Sequence, residues 1–326
     1  NLNPLFEIDP ERLNTRRIAA DRLNLFKPAE FAVHKPDNTL RVFALGGSTT
    51  QGEPYSTQTA FPAWMGMCLE AATGRRVEVI NCGGLSYASY RVLAILREVI
   101  DYEPDLIVVY SGHNEYLEQR SYEGYREGSL ITSSRGMLSQ LRMVQFAKNF
   151  FGKRGMRDAS KLVVDPTELN REVDALLDYQ GGLESYVRGS LDHGPVLDHF
   201  EFNLTAMISE CAAKRIPLTL VRPVSNLLDC PPFKIEDNPT LDDESRVKFG
   251  ELWQGARNAS VAGTAKTLVG QALEIDPNHA GANFLYGQLL VAENDWSSAR
   301  SYLTLAKDHD VCPLRAPTQI VEAVTE

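Results

Sequence analysis

Apolar residues in this chain fall in short runs that alternate with helically spaced stretches. The run L-R-V-F-A-L at 40–45 reads as a strand and is cut off by Gly46-Gly47. A helical pattern follows at about 59–72, then a second strand at 77–81. Between 90 and 101 the apolar positions Val92, Leu93, Leu96, Val99 and Ile100 share one helical face, and Glu103-Pro104 stops that helix. L-I-V-V-Y at 106–110 reads as a third strand, 196–214 as a helix, and 216–221 as a fourth strand ended by Pro223. A polar loop rich in Pro, Asp and Asn runs to Pro239, and everything from 243 to 310 reads as helix. Short helices are expected at 11–23 and 317–324.

Strands alternating with helices point to an α/β fold with a parallel sheet covered on both faces. Residues 1–38 read as an N-terminal extension, and 39–242 as the α/β domain with an inserted lid at about 120–195. A helical insertion would occupy 243–312, and 313–326 would begin an incomplete return to the α/β domain. In the helical part Ala272 and Ala306 lie 34 residues apart. Between them Gly287, Asp295-Trp296, Ala299 and Leu303 stand where a tetratricopeptide repeat places its small, turn and packing residues. The segment resembles one such repeat plus the second helix of another, with Trp296 and Leu303 buried between helices. Too short to stand alone, it would dock on the α/β domain or on a protein partner.

Composition narrows the picture. The chain has 326 residues, is 43% hydrophobic and 23% charged, and carries a formal net charge of −10. That charge argues against nucleic acid as a partner. No apolar run reaches the 18 residues of a spanning helix. The five cysteines are scattered without paired C-x-x-C spacing, which suits mostly buried free thiols rather than a metal site. The sequence starts at Asn1 without signal-peptide features, so it reads as an internal piece of a longer product. From Arg135 to Lys161 seven basic residues face one acid, Asp158, with aromatic and aliphatic residues interleaved. That pattern fits an anionic membrane surface or a lid helix packed on the core.

The chemistry gathers at strand ends. The first strand runs into Gly46-Gly47-Ser48-Thr49, the second into Asn81-Cys82-Gly83-Gly84-Leu85-Ser86, and the third into Ser111-Gly112-His113-Asn114-Glu115. In an open parallel sheet reactive groups collect at the carboxyl ends of strands. A serine, a Gly-rich turn and a G-x-N-E turn, in that order, resemble the blocks of the SGNH/GDSL hydrolases. The resemblance covers residues 39–117 well and the fourth strand more loosely.

It implies a three-layer α/β/α flavodoxin-like fold and hydrolysis or transfer of an O-acyl ester, without cofactor or metal. Ser48 would be the nucleophile, the Asn114 side chain an oxyanion donor, and Glu115 a supporting carboxylate. Counting five residues on from Asn81 puts the second oxyanion donor at Ser86; a looser register puts it at Gly83. Where the family usually has aspartate before the serine, this chain has Gly47. The family's Asp-x-x-His is matched only by Asp276-Pro277-Asn278-His279, which sits at the repeat junction and reads as turn chemistry. The base and its orienting acid are therefore expected beyond Glu326. Relatives acting on cell-envelope or carbohydrate esters suggest an extracytoplasmic, membrane-tethered setting. The rival reading is a hydrolase-like scaffold that binds through its helical repeat.

Overall fold

The computed structural model describes residues 3–118, 173 and 182–325. The basic stretch 135–161 and most of the expected lid lie outside the described residues.

A parallel sheet organises the α/β part. It uses β4 (Thr39–Gly46), β5 (Arg76–Gly83), β6 (Leu106–Tyr110) and β7 (Leu218–Leu220), in the spatial order β5-β4-β6-β7. Side chains alternate between its faces. Phe43, Leu45, Ile80, Cys82, Ile107 and Val109 share one buried face with the helices α3 (Ser89–Val99) and α4 (His193–Lys214). The opposite face carries Val42, Ala44, Val79 and Val108; α2 (Phe61–Thr73) packs there, Gly66 lying against Val79. Both faces are covered, and the fold is α/β with the parallel sheet flanked by helices.

The expected helix at 11–23 is not found. Phe6–Ile8 (β1), Thr15–Ile18 (β2) and Glu30–Ala32 (β3) form an antiparallel sheet, and only the short 3-10 turn Ala20–Arg22 is helical. Tertiary contacts override the helix-favouring composition. The Asp9 carboxylate accepts the Glu11 N–H and the Arg12 guanidinium, closing a tight turn. The strands then deliver Phe6, Ile18 and Phe31 to the main core. Phe31 packs edge-on against Phe6 and Phe43, with ring centroids 5.0 and 5.3 Å apart. Each such ring, fully buried, is worth roughly 1.5–3 kcal/mol.

Beyond β7 the chain is helical as expected: α5 (Asp243–Asn258), α6 (Ala262–Ile275), α7 (Ala280–Ala292) and α8 (Trp296–Asp308) pack in succession. Asp242 and Asp295 cap α5 and α8, accepting the Ser245 and Ser298 N–H groups. Gly287 lets Leu303 come so close that a β-carbon would stand 2.7 Å from its Cγ. Leu303 is buried, but Trp296 is 59% exposed, against expectation. As the first residue of α8 its side chain leans toward the N-terminus, past the turn it would need to pack on. The helices are fastened to the α/β part by a two-pronged ion pair of Arg188 with the buried Asp276, at 2.6 and 2.8 Å. The final helix α9 (Thr318–Ala323) returns to the main core through Ile320. No helix among the described residues is long and apolar enough to cross a membrane.

Candidate active site

Strand register sets the site. Gly46 at the end of β4 pairs with Gly83 of β5 and with Tyr110 of β6, so three turns leave the same sheet edge side by side. β4 is flanked by β5 on one side and β6 on the other, which makes this edge the point where the strand order reverses.

Ser48 opens the short helix α1 (Ser48–Gln51), with Gly47 extended before it. Its side chain is partly exposed, and its hydroxyl forms no hydrogen bond among the described residues. The Asn81 side chain holds this helix in place. Its amide donates to the Thr50 carbonyl at 2.9 Å, and its oxygen accepts the Gly83 N–H at 2.9 Å.

That second bond bears on the choice between Gly83 and Ser86. The N–H groups of Gly83, Gly84, Leu85, Tyr87 and Ser89 are all committed, to Asn81, Gly46, Leu25, Gly84 and Glu115 respectively. Those of Ser86 and Ala88 have no partner among the described residues, and of the two only Ser86 is open to solvent. Ser86 has φ +58, a left-handed conformation that turns its N–H out of the strand direction.

Asn114 meets both turns. Its amide donates to the Tyr87 carbonyl at 3.0 Å, which leaves its second N–H uncommitted. The same nitrogen lies against Gly47: a β-carbon there would stand 2.4 Å from Nδ2. Tyr87 is itself fully buried, with its hydroxyl accepting from Arg22. Glu115 is buried and accepts the Ser89 N–H at 2.9 Å and the Ser89 hydroxyl at 2.8 Å, tying the β6 turn to the start of α3. A carboxylate there also meets the positive end of that helix. Ser48, Ser86 and Asn114 thus share one edge, with Glu115 behind them and Gly83 on it but with its N–H spent.

The described histidines have other duties. His279 caps α7, its Nδ1 accepting the Ala282 N–H at 3.0 Å, while Asp276 pairs with Arg188. This is turn chemistry, as the spacing suggested. His193 Nδ1 lies 2.9 Å from the Tyr116 hydroxyl, and His199 stacks on Tyr90. Burial lowers the pKa of His193, His279 and His309. Among the described residues none is hydrogen-bonded to the Ser48 hydroxyl, and no group of three or more His, Cys, Asp or Glu could hold a metal ion.

Sequence reasoning missed Asn81 and Tyr87, whose roles are played by an Asx turn and a backbone carbonyl. The Asx turn was legible in principle from an Asn two residues before a glycine at a strand end. The carbonyl leaves no trace in side-chain identity.

A model of the GDSL-like lipase/acylhydrolase family matches residues 44–246. Similar solved structures include AlinE4, described as an SGNH-hydrolase family esterase. It is 12% identical, with 74% of each chain covered and a TM-score of 0.32. Two mutants of that esterase match with a TM-score of 0.30 each. No curated protein matches the chain.

Proposed function

The chain belongs to the GDSL-like lipase/acylhydrolase family and is an ester-hydrolysing enzyme, and from that premise we propose that Ser48 is its nucleophile. Ser48 Oγ attacks the ester carbonyl carbon and gives up its proton to a base; the carbonyl π electrons move onto oxygen. The N–H groups of Ser48 and Ser86 and the free N–H of Asn114 receive that oxyanion. Collapse expels the alcohol, which takes the proton back from the base. Water, giving its proton to that base, then attacks the acyl carbon, and Ser48 leaves reprotonated with the acyl group released as the carboxylic acid. Donors preorganised for the developing charge lower the barrier without reorganising during reaction. Glu115 fixes the turn that carries Asn114 and touches no reacting atom.

The observation that carries this reading is the uncommitted Ser86 N–H beside an Asn114 amide with one N–H to spare. The substrate is proposed to be an O-acyl ester, acetyl in the first instance, of a cell-envelope or other carbohydrate, met outside the cytoplasm by a membrane-tethered protein. The support for substrate and setting is the family's chemistry alone. The helical segment at 243–312 is proposed as a repeat-like surface for a protein partner, and 135–161 as a contact to anionic lipid.

Hydrolysis of an activated acetyl ester tests the catalytic assignment. Ser48→Ala should keep no more than the residual acceleration of binding and the oxyanion hole, about 10³–10⁴ over water, and Asn114→Ala should lower kcat by about 10²–10³. A Ser48→Ala protein that keeps the parent rate would overturn it.

A further inference from the structure

Three stretches far apart in sequence meet at the His113 imidazole. Nδ1 accepts the Ala316 N–H at 3.1 Å. With that lone pair in use, the ring proton sits on Nε2 and is directed at the Tyr110 hydroxyl, 3.2 Å away. The same hydroxyl accepts the Val224 N–H at 3.2 Å. One residue earlier Gly112 has φ +132, and a β-carbon there would stand 2.9 Å from both Ile320 and Pro223 side-chain atoms. The 313–323 segment therefore lies directly on the turn that carries Asn114.

Asn114 is consequently pinned at both flanks. On one side Glu115 is held by Ser89, and on the other His113 is held by Ala316. Burial, and then the ammonium of Lys307, push the His113 pKa down to about 4, so the ring is neutral and its acceptor lone pair persists at ordinary pH. Lys307 donates to the Ala316 carbonyl at 2.8 Å, fixing the same peptide segment from its other side.

We infer that His113 is a positioning residue for the oxyanion hole: its imidazole clamps the 313–323 segment against the β6 turn and thereby sets the direction of the Asn114 amide. The inference rests on the proposed role of Asn114. Misplacing a donor by about 1 Å is enough to cost on the order of 10²-fold in rate.

The experiment is a double-mutant cycle on an activated acetyl ester, with kcat, KM and thermal melting measured for each protein. His113→Ala should lower kcat about tenfold to a hundredfold while KM moves by less than about twofold. In an Asn114→Ala background the same change should cost less than about twofold, because the group it positions is gone. His113→Asn, whose side-chain oxygen can replace Nδ1 as acceptor for Ala316, should recover more rate than His113→Gln, which cannot. Equal losses from His113→Ala in both backgrounds would overturn the inference, as would Gln outperforming Asn. If His113→Ala does not fold, the comparison of Asn with Gln decides. An Asn114→Ala protein with undiminished kcat would instead remove the oxyanion assignment itself, a result distinct from additivity.

Discussion

A β-carbon on Gly47 would stand 2.4 Å from Asn114 Nδ2, so the residue before Ser48 and the side chain two strands along in sequence compete for one space. Glycine leaves that space to the Asn114 amide at the position where the resemblance has aspartate. The backbone at Gly47 has φ −86 and ψ −158, which any residue adopts. The demand is for room alone.

Gly47→Ala should therefore displace the Asn114 amide without straining the backbone. The expected result is a kcat at least about tenfold lower, by the sensitivity of donor placement, with little change in melting temperature. A wild-type kcat would mean that Asn114 can yield without consequence.

At Ser86 the proposed donor is the main chain, and the side chain is dispensable. Ser86→Gly should keep full activity and raise stability by up to about 1 kcal/mol, because the left-handed φ of +58 penalises a side chain. Loss of activity in this variant, with folding intact, would show that the hydroxyl takes part.

Acid should destabilise the fold before the carboxylates titrate. His113 has its pKa lowered from 6.5 to about 4 by burial and by Lys307. Between those values the unfolded chain binds a proton there and the folded chain does not, so stability rises with pH across this window. The loss on going from about pH 6.5 to 4 should reach about 3 kcal/mol from this residue. Denaturant melts of His113→Asn against the parent check it: the variant should show a flatter dependence in that window, and parallel curves would refute the assignment.

Arg188 and Asp276 give a stability test remote in purpose from catalysis. Asp276 is 1% exposed, and Arg188→Ala would leave its carboxylate buried without a counter-charge. Breaking such a pair costs about 3–5 kcal/mol. Equilibrium unfolding monitored by tryptophan fluorescence should report that loss; a change under about 1 kcal/mol would mean water or a neighbour replaces the arginine.

The parallel sheet and its three turns were legible because each strand is short and apolar and glycine follows at or just after the ends of the first three. The placement of Ser48, Asn114 and Glu115 at one sheet edge could be read for the same reason: turn chemistry is local. Residues 11–23 were misread because their fate is decided by Phe6, Phe31 and Phe43, which no local pattern includes. Trp296 was misread because repeat spacing fixes the face of a helix and leaves open whether anything lies opposite its first turn. The choice between Ser86 and Gly83 needed knowledge of where each N–H goes. His113 stands at the variable position of the G-x-N-E turn, and no local pattern signals its contact with Ala316, 203 positions away.

That separation has a bearing on how the protein is made. The Ser48 turn, the Ser86 turn and the Asn114 turn all come from consecutive strands within residues 39–118, so they can assemble while the rest is still being synthesised. Their clasp cannot close until Ala316 has been added. At about 5–20 residues per second, the 203 positions from His113 to Ala316 correspond to a delay of about 10–40 s. During that interval the nascent chain carries Ser48, the proposed nucleophile, beside a turn that His113 has not yet joined to Ala316.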